Sequence, residues 1–420
     1  MPTVDDPTLI RCADRERLSA ALLDTRGNTL RTFSAFEEAL RASELQIPYS
    51  PEVNPPLWEL GHVGWFQEYW IGRNPQRLRG VAAEPEAART ASSLAQADAL
   101  YDSSRVEHST RWHLPLPRAG STRDYLSRTL EQSLRVLTQA DGGERGLLYF
   151  AWLALMHEDM HREAAIYMGN ALGIPVEVAP QIEPSTADPG QPPELTFDAT
   201  RFQLGSVNGD FAFDNELAPR WVDVERFRID RAPVDNRAFA AFIEAGGYQA
   251  PGYWTTEGWD WRARHEARWP RFWRPAAGGW EQCRFGRWTP LDERAPVTHV
   301  TLHEAQAWCR WAGRRLPTEI EWEAAALTVP AAPATAPMRF GQVWEWTAST
   351  FEPYPGFAPH PYRDYSLPWF GSRQVLRGGS FATHPRLRHP RYRNFFCPDR
   401  NDIFGGFRSC AQAQPAGSTT

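Results

Sequence analysis

The sequence predicts a chain in two parts, a helical first half followed by an α+β second half. Apolar residues recur at three and four positions through the first half, where Gly and Pro are scarce. Residues 178–195 then contain five prolines and no apolar periodicity, which is typical of an extended connection between domains. Beyond them, short apolar stretches alternate with frequent Gly and Pro, a pattern typical of short strands and loops. We therefore expect a helical domain over residues 1–178, a linker over 179–195 and an α+β domain over 196–414.

Five segments of the first half carry the helical pattern. The last contains LLYFAWLALMHEDMHREAAIYMGNAL, which is apolar on most sides near its start, so burial inside a bundle is expected. It closes at Gly173-Ile174-Pro175, a combination that ends helices. Helices joined by loops in this way favour an antiparallel four-helix bundle. The expected helices span residues 14–23, 34–45, 57–71, 122–139 and 146–172, and two more, at 236–244 and 303–312, are expected in the second half.

The composition excludes several classes of function. The 420 residues carry a formal net charge of −6, which offers no general attraction for nucleic acid. The five cysteines are odd in number and contain no CxxC pair, so neither a disulfide framework nor a thiolate zinc site is expected. All 45 basic residues are Arg, which excludes lysine Schiff-base and Walker-type chemistry. No apolar run suits a membrane span and the start lacks a secretory signal, so a cytoplasmic protein is expected.

A pair of histidines stands at helical spacing in HEDMHRE. His157 and His161 are four residues apart, so their side chains lie about 40° apart on one helix face and can bind one ion. Spacing alone does not distinguish such a pair from two hydrogen-bonded bundle histidines. Glu163 points well away from that face, so we expect it to act outside direct coordination. The segment HEDMH also matches the HExxH pattern of zinc proteases, with Glu158 as the general base, so a zinc hydrolase is an alternative.

A third ligand is available in the segment LWELGHVGWFQEYW. His62 lies there, with Gly61 before it and Gly64 two residues later, and both glycines permit close helix approach. Three imidazoles would leave positions open on an octahedral ion such as Fe(II), whereas a structural zinc site would be closed by a fourth protein ligand.

Six motifs follow one another in the second half. In chain order they are FQLGS at residues 202–206, PVDNRAFAAFIEAGGY at 233–248, WCRWAGRRLPTEIEWEAAA at 308–326, GQVWEWTAS at 341–349, LRGGSF at 376–381 and GFR at 406–408. Together they resemble the formylglycine-generating-enzyme/sulfatase-modifying-factor domain, which implies a C-type-lectin-like fold. We expect RLPTEIEWE and GQVWEW to build the scaffold, without a catalytic role.

Preceded by a helical domain with a histidine and then HxxxHxE, this arrangement resembles the ergothioneine-type sulfoxide synthases. The resemblance implies a DinB-like bundle, a lectin-like domain and an active site at their junction. It also implies that His62, His157 and His161 hold a non-haem Fe(II). Members of that family use O2 to join the imidazole C2 of hercynine, which is trimethylated histidine, to the sulfur of cysteine or γ-glutamylcysteine. The expected partners are therefore small molecules, without nucleic acid or membrane.

The resemblance also points to residues around the metal. YPGFAPHPYRDY contains Tyr354, Tyr362 and Tyr365, of which Tyr354 or Tyr362 is implied as the catalytic proton donor. Each of the three could instead be a packed loop aromatic. Asn394 matches an Asn that contacts hercynine in the family, and the aromatic residues around it suit a quaternary ammonium, which has no N–H to donate.

One departure concerns the chalcogen donor. Relatives that use γ-glutamylcysteine read R-N-W-D with an Arg four residues after the Asp, whereas this chain reads Arg393-Asn394-Phe395-Phe396 and retains Arg400. The resemblance assigns Asn394, Phe395, Phe396 and Arg400 to substrate binding. Phe396 cannot form the ion pair that the Asp would make with the substrate's ammonium. A donor without that ammonium is therefore expected.

Two further sequence features resemble the selenoneine synthase branch, which joins hercynine to a selenosugar. They are PLWELGHVGWFQEYW in place of W-H-L-A-H, and Met160 where relatives often carry Gln. We therefore expect Fe(II)- and O2-dependent C–Se bond formation, with coupling to cysteine or another thiol as the first alternative and a non-enzymatic metal- or ligand-binding sensor as the second. A formylglycine-generating oxidase would need two neighbouring cysteines, and Cys397 has none before Cys410.

Overall fold

A computed structural model of the chain describes residues 4–139, 145–178, 193–207, 209–328, 330–331 and 337–412. Most of the expected linker, residues 179–192, lies outside the described residues. The helices are α1 (Arg15–Ala39), α2 (Pro56–Gln67), α3 (Ala97–Tyr101), α4 (Ala119–Gln139), α5 (Arg145–Leu172), α6 (Asn236–Glu244), α7 (Thr256–Arg264), α8 (Leu302–Trp311) and α9 (Glu319–Leu327).

The first half is a four-helix bundle of α1, α2, α4 and α5, as predicted. Helix α1 packs mainly on α5, and α2 packs on both α4 and α5. Helix α2 begins with Pro56, whose fixed φ suits the first turn of a helix. A Cβ on Gly61 would lie 2.2 Å from Cζ of Tyr101, and one on Gly64 would lie 2.9 Å from Cδ1 of Leu126. These two glycines therefore allow the close packing of α2 that the sequence predicts.

Helix α1 is continuous, so the prediction of two helices at residues 14–23 and 34–45 was wrong. The residues between the expected helices include Thr25, Arg26 and Thr32, which are polar and yet buried. Because these polar side chains face the bundle interior, the apolar periodicity is interrupted while the helix is not. Asp14 caps the start of the helix by accepting a hydrogen bond from the backbone N–H of Arg17.

One buried arginine joins all four helices of the bundle. From α1, the guanidinium of Arg26 donates to both carboxylate oxygens of Glu158 on α5, at 2.8 and 3.0 Å. It also donates to Oε1 of Gln67 on α2, at 2.7 Å, and to the backbone carbonyl of Leu126 on α4, at 2.5 Å. A buried charge is tolerated when it is paired and fully hydrogen-bonded, and Arg26 satisfies both conditions.

Within its described residues, the second half contains four small sheets of antiparallel strands, with one parallel pair. The orders are β1-β4-β13-β8, β2-β3, β5-β6-β7 and β11-β10-β9-β12, and β12 runs parallel to β9. The strands are β1 (Glu194–Phe197), β2 (Thr200–Leu204), β3 (Arg220–Val224), β4 (Phe227–Asp230), β5 (Trp273–Ala276), β6 (Gly279–Arg284), β7 (Arg287–Pro290), β8 (Arg314–Arg315), β9 (Trp344–Thr350), β10 (Gln374–Arg377), β11 (Asn394–Phe396), β12 (Gly405–Gly406) and β13 (Cys410–Ala411).

The second half has more helices than the sequence predicts. The two expected helices are present as α6 and α8, but α7 and α9 also form, so the prediction of two was wrong. Helix α9 begins with a capping box, in which Thr318 and Glu321 bond each other's backbone N–H groups. Thr255 caps α7 by accepting from the backbone N–H of Gly258. Both helices are only nine residues long, too short for a clear apolar period.

A single apolar cluster extends from the bundle into the second half. Trp152 of α5 stacks on Phe211 with ring centroids 5.9 Å apart, and its indole N–H donates to the backbone carbonyl of Ile10. The apolar core is therefore continuous between the two halves, and α5 contributes to it from the bundle. No helix within the described part of the chain is long and apolar enough to cross a membrane.

Candidate metal centre and adjoining cavity

Three histidines converge where α2 faces α5. His62 comes from α2, and His157 and His161 come from α5. One ring nitrogen from each lies within 4.8 Å of the corresponding nitrogens of the other two. The ring centroids of His157 and His161 are 4.3 Å apart, and that of His62 lies 5.1 and 4.7 Å from them. The structure thus brings together the three residues that the sequence nominates as ligands.

Hydrogen bonds orient two of the three imidazoles. Nδ1 of His62 lies 2.8 Å from the backbone carbonyl of Tyr101, which can only accept, so this nitrogen carries the hydrogen and Nε2 keeps its lone pair. Nδ1 of His161 lies 2.5 Å from Oε2 of Glu59. Burial alone would raise the pKa of Glu59, but the attraction of His161 and its hydrogen bond lower it to about 2. Both histidines therefore present Nε2 as the free donor atom.

The third imidazole and the charge state of the group also fit a cation. Nδ1 of His157 is buried without a hydrogen-bond partner among the described residues. Burial lowers the pKa of His62 to about 3, and it lowers the pKa of His157 well below the usual value for histidine. His62 and His157 are thus neutral, which is the form of imidazole that binds metals. Three imidazoles suit Fe, Zn, Cu or Ni, and Fe(II) is among the ions that this donor set fits.

The acidic residues of HEDMHRE have other partners. Glu158, the general base of the zinc-hydrolase alternative, is held by both its oxygens in the ion pair with Arg26. Glu163 accepts from the indole N–H of Trp344, at 2.8 Å, and from the hydroxyl of Ser380, at 2.6 Å. Neither carboxylate belongs to the histidine cluster, and Glu163 instead joins α5 to the second half of the chain.

A cavity of about 200 Å³ adjoins His161 at the junction of the two halves. Helix α5 forms one side and the sheet that contains β9 and β11 forms the other. The lining is mainly apolar and aromatic, with a carboxylate and an amide as polar groups. The residues are Met160, His161, Glu163, Ala164, Tyr167, Trp344, Leu387, Tyr392, Asn394, Phe396 and Ile403.

Strand β11 directs alternate side chains to opposite faces. Asn394 and Phe396 line the cavity, whereas Phe395 stacks on Phe351 with centroids 4.1 Å apart. The structure therefore does not bring Phe395 to the cavity with the other nominated substrate residues. Arg400 lies behind Phe396, with its guanidinium 5.2 Å from the centre of that ring.

Arg400 is engaged in a local ion pair. Its Nε and Nη2 atoms donate to the two oxygens of Asp402, at 2.5 and 2.6 Å. The guanidinium also lies 5.8 Å from the centre of the Tyr167 ring, another lining residue. At this end of the cavity the positive charge is therefore already matched by a carboxylate of the chain.

The structure separates the two tyrosines nominated as proton donors. Tyr362 packs edge-on against His157, with centroids 6.1 Å apart, and against Phe66 at 4.9 Å. Tyr354 lies in a separate apolar cluster, where its hydroxyl donates to Glu319 at 3.3 Å and accepts from Arg377 at 3.2 Å. Since none of its contacts is with the histidines, Tyr354 is not brought to the candidate metal centre.

Several contacts of the site are not revealed by the sequence motifs. Glu59 orients His161, and the backbone of Tyr101 orients His62, yet the sequence nominates neither residue. Tyr167, which lines the cavity from α5, is also not nominated, whereas Tyr392, which lies 3.1 Å from the sulfur of Met160, is among the expected aromatic residues around Asn394. The position of Glu59, three residues before His62 on one helix, places a carboxylate beside a nominated ligand and is the signal that could have drawn attention to it.

Two family models match the chain in this order. Residues 22–165 match the DinB superfamily, and residues 182–331 and 338–413 match the sulfatase-modifying factor enzyme 1-like domain. The bundle and the domain after it therefore correspond to the two expected folds.

All five cysteines are free thiols, and Cys309 and Cys410 are buried.

Known proteins are similar over nearly the whole chain. It is 32% identical to a hercynine oxygenase of Mycolicibacterium smegmatis, over 94% of this chain and 98% of that protein. A hercynine oxygenase of Mycobacterium tuberculosis is also 32% identical, with 94% and 98% covered. A formylglycine-generating enzyme of Thermomonospora curvata is 30% identical over 50% of this chain and 90% of that protein. The first two similarities span both domains, whereas the third spans half the chain.

Proposed function

Because the chain belongs to the ergothioneine-type sulfoxide synthase family, whose relatives include the hercynine oxygenases, we propose that it oxidatively joins hercynine to a selenosugar. In balanced form, the imidazole C2–H and the selenol Se–H lose their hydrogens and the C–Se bond forms. O2 accepts four electrons: one oxygen atom ends on selenium as a selenoxide, and the other leaves with the two hydrogens as water.

The observation that carries this proposal is the histidine cluster beside a cavity built by both domains. His62, His157 and His161 would hold Fe(II), which supplies the redox chemistry that O2 needs to react with closed-shell organic substrates. Three protein donors leave room for substrates, unlike a structural site closed by four. The cavity next to His161 holds the substrates against this centre, so proximity replaces an encounter of three separate molecules.

The cavity suits the trimethylammonium group of hercynine. Such a cation has no N–H to donate and is bound by aromatic faces and negative charge. Trp344 and Tyr392 supply the rings from the second domain, and Glu163 supplies a carboxyl group from α5 on the opposite side of the cavity. Asn394 adds an amide that can bond the substrate carboxylate or imidazole.

The far end of the cavity favours a donor without an amino-acid head group. Phe396 offers no carboxylate for an ammonium, and Arg400 already pairs with Asp402. An amine-bearing donor would lose its hydration there without gaining an ion pair. A glycosyl selenol presents hydroxyl groups instead, and these can bond neutral partners such as the Tyr167 hydroxyl.

Tyr362 is the residue we assign as the proton donor. It packs against His157, and burial raises the pKa of its hydroxyl, so it stays protonated at neutral pH. A protonated phenol near the reacting centre can deliver a hydrogen to reduced oxygen species. Tyr362→Phe retains the ring packing and removes only this hydroxyl, so coupled product should fall while the protein remains folded.

The test is aerobic incubation of the iron-loaded protein with hercynine and one donor at a time. The donors are selenoglucose, thioglucose, cysteine and γ-glutamylcysteine, and the products are read by mass spectrometry with 18O2 to trace the oxide. Loss of product without O2 or in His157→Ala is expected. Product from cysteine or γ-glutamylcysteine alone would support the sulfur alternative and contradict selenium. Binding of hercynine without O2 consumption would support the sensor alternative.

Donor preference should change when a carboxylate is restored at residue 396. Phe396→Asp places an acid on the cavity wall, so the kcat/KM for cysteine relative to selenoglucose should rise by about tenfold or more, since a charge-assisted hydrogen bond contributes about 1.5–3 kcal/mol. Phe396→Leu is the matched control, because it opens the same space without adding charge. An equal change of preference in both variants would contradict the role given to charge here.

A further inference from the structure

Helix α5 is held on several sides at the height of the metal centre. At about 100° per residue, His157 and His161 face one side, and Asp159 and Glu163 lie about 200° and 240° round from His157. The histidines therefore face α2, while the two acids face nearly the opposite way. Both acids contact the second domain, and Asp159 also contacts α1 of the bundle.

The contact of Asp159 is a buried ion pair with Arg386. Nε of Arg386 lies 3.0 Å from Oδ2 of Asp159, and both side chains are 0% exposed. This is a contact of charges without a hydrogen bond, because the N–H of Nε points to His384. The hydroxyl of Thr25 donates to Oδ1 of Asp159 at 2.6 Å. Arg386 is itself fixed by His384, whose Nδ1 accepts from its Nε at 2.9 Å, and by an ion pair with Asp24 of α1. One guanidinium of the second domain thus bonds two helices of the bundle.

Two further contacts act on the same face of α5. The hydroxyl of Tyr392 lies 3.1 Å from the sulfur of Met160, and Glu163 accepts hydrogen bonds from Trp344 at 2.8 Å and from Ser380 at 2.6 Å. These are a weak thioether contact and two hydrogen bonds, whereas the Arg386 contact brings a guanidinium and a carboxylate together in a dry environment.

Small rotations of α5 matter for a bound ion. A rotation of about 10° moves a side-chain tip about 5–6 Å from the axis by about 1 Å. Metal–ligand distances tolerate only about 0.2 Å. The face of α5 that carries His157 and His161 must therefore be fixed, and on the opposite face the fixing group belongs to the other domain.

We propose that Arg386 is a positioning residue for the metal centre: its buried ion pair with Asp159 fixes the rotation of α5 and so the placement of His157 and His161. This inference rests on the metal-binding part of the proposed function and is independent of the substrates. It makes metal affinity a property of both domains, although every ligand comes from the first.

The test measures metal binding without turnover. Co(II) binding to the full chain is followed anaerobically by visible absorption, and its dissociation constant is obtained by chelator competition. Arg386→Gln and Asp159→Asn are each expected to weaken binding by tenfold or more and to change the Co(II) spectrum, with thermal unfolding reporting whether each variant is folded. Arg386→Lys should recover much of the affinity because it restores the charge.

Arg408→Gln is the matched control, because Arg408 makes a fully buried ion pair with Glu345 and does not contact α5. It should lower the unfolding temperature without changing the Co(II) spectrum of the folded protein. If Arg386→Gln does not fold, the Co(II) affinity and spectrum of Asp159→Asn and Arg386→Lys test the proposal instead. Folded variants with wild-type affinity and spectrum would overturn the proposal, as would wild-type protein that binds no Co(II). Wild-type protein that binds Co(II) but forms no product with iron would contradict only the proposed function.

Discussion

Replacing Glu59 by Gln should weaken metal binding at the histidine cluster. Glu59 lies one turn before His62 and holds Nδ1 of His161 at 2.5 Å, so it keeps Nε2 of that ring free for a metal. With a pKa of about 2, the carboxylate is ionised at any pH at which the protein is handled. Gln keeps an acceptor oxygen of the same size at the same place. The substitution therefore removes the charge at nearly constant volume, and it also removes the oxygen that accepts from the side-chain amide of Asn54.

The magnitude follows from the hydrogen bond that is weakened. A charge-assisted hydrogen bond contributes about 1.5–3 kcal/mol, which corresponds to roughly 10- to 100-fold in a dissociation constant. Changes to groups that orient metal-binding histidines typically cost the same 10- to 100-fold. Since Gln still accepts a hydrogen bond, we expect the loss for Glu59→Gln to lie near the lower end, at about tenfold.

The assay is anaerobic competition for Fe(II) or Co(II) with a chelator of known affinity. Glu52→Gln is the control, because Glu52 pairs with Arg271 near the surface and touches none of the histidines. It should bind metal as the wild type does. A dissociation constant for Glu59→Gln within twofold of the wild type, in folded protein, would refute the role of Glu59 in orienting His161.

Two further predictions concern stability. Arg26→Met leaves the buried carboxylate of Glu158 without its partner, so the free energy of unfolding measured in urea should fall by about 3–5 kcal/mol. A loss below about 1 kcal/mol would show that another group pairs with Glu158 in the variant. Burial raises the pKa of Asp214 to about 6, so the native state binds a proton more tightly than the unfolded chain does. The free energy of unfolding should therefore decrease by up to about 3 kcal/mol as the pH rises from about 4 to 6. Asp214→Asn should abolish this part of the pH dependence, and an unchanged profile would contradict the assignment.

Sequence patterns located the helices whose apolar residues recur without interruption. Helix α5 was predicted to within one residue, because its pattern is strong and Gly173 ends it with a positive φ. Helix α1 was divided wrongly because Thr25 and Arg26 turn polar groups inward. Their partners, Asp159 and Glu158, lie more than a hundred residues away, so no local pattern reveals that these polar positions are interior.

The site itself was predictable only in part. The four-residue spacing of His157 and His161 is local, but their meeting with His62 depends on how α2 packs against α5. The residues themselves named His62 only as an available third ligand, and the family resemblance then implied that role. Tyr354 and Tyr362 lie in one loop, where no periodicity fixes direction. The structure sends Tyr354 toward Arg377 and Tyr362 toward His157, which a sequence pattern cannot distinguish.

The cavity is lined by two kinds of secondary structure, a long helix and a short strand. Two of the three histidines of the candidate metal centre stand on α5, a long helix held by charged pairs, whereas Asn394 and Phe396 stand on β11, a strand of only three residues at the edge of its sheet. Phe396 can therefore be replaced without changing the helix that carries these histidines. Under the function proposed above, donor preference is thus separable from metal binding.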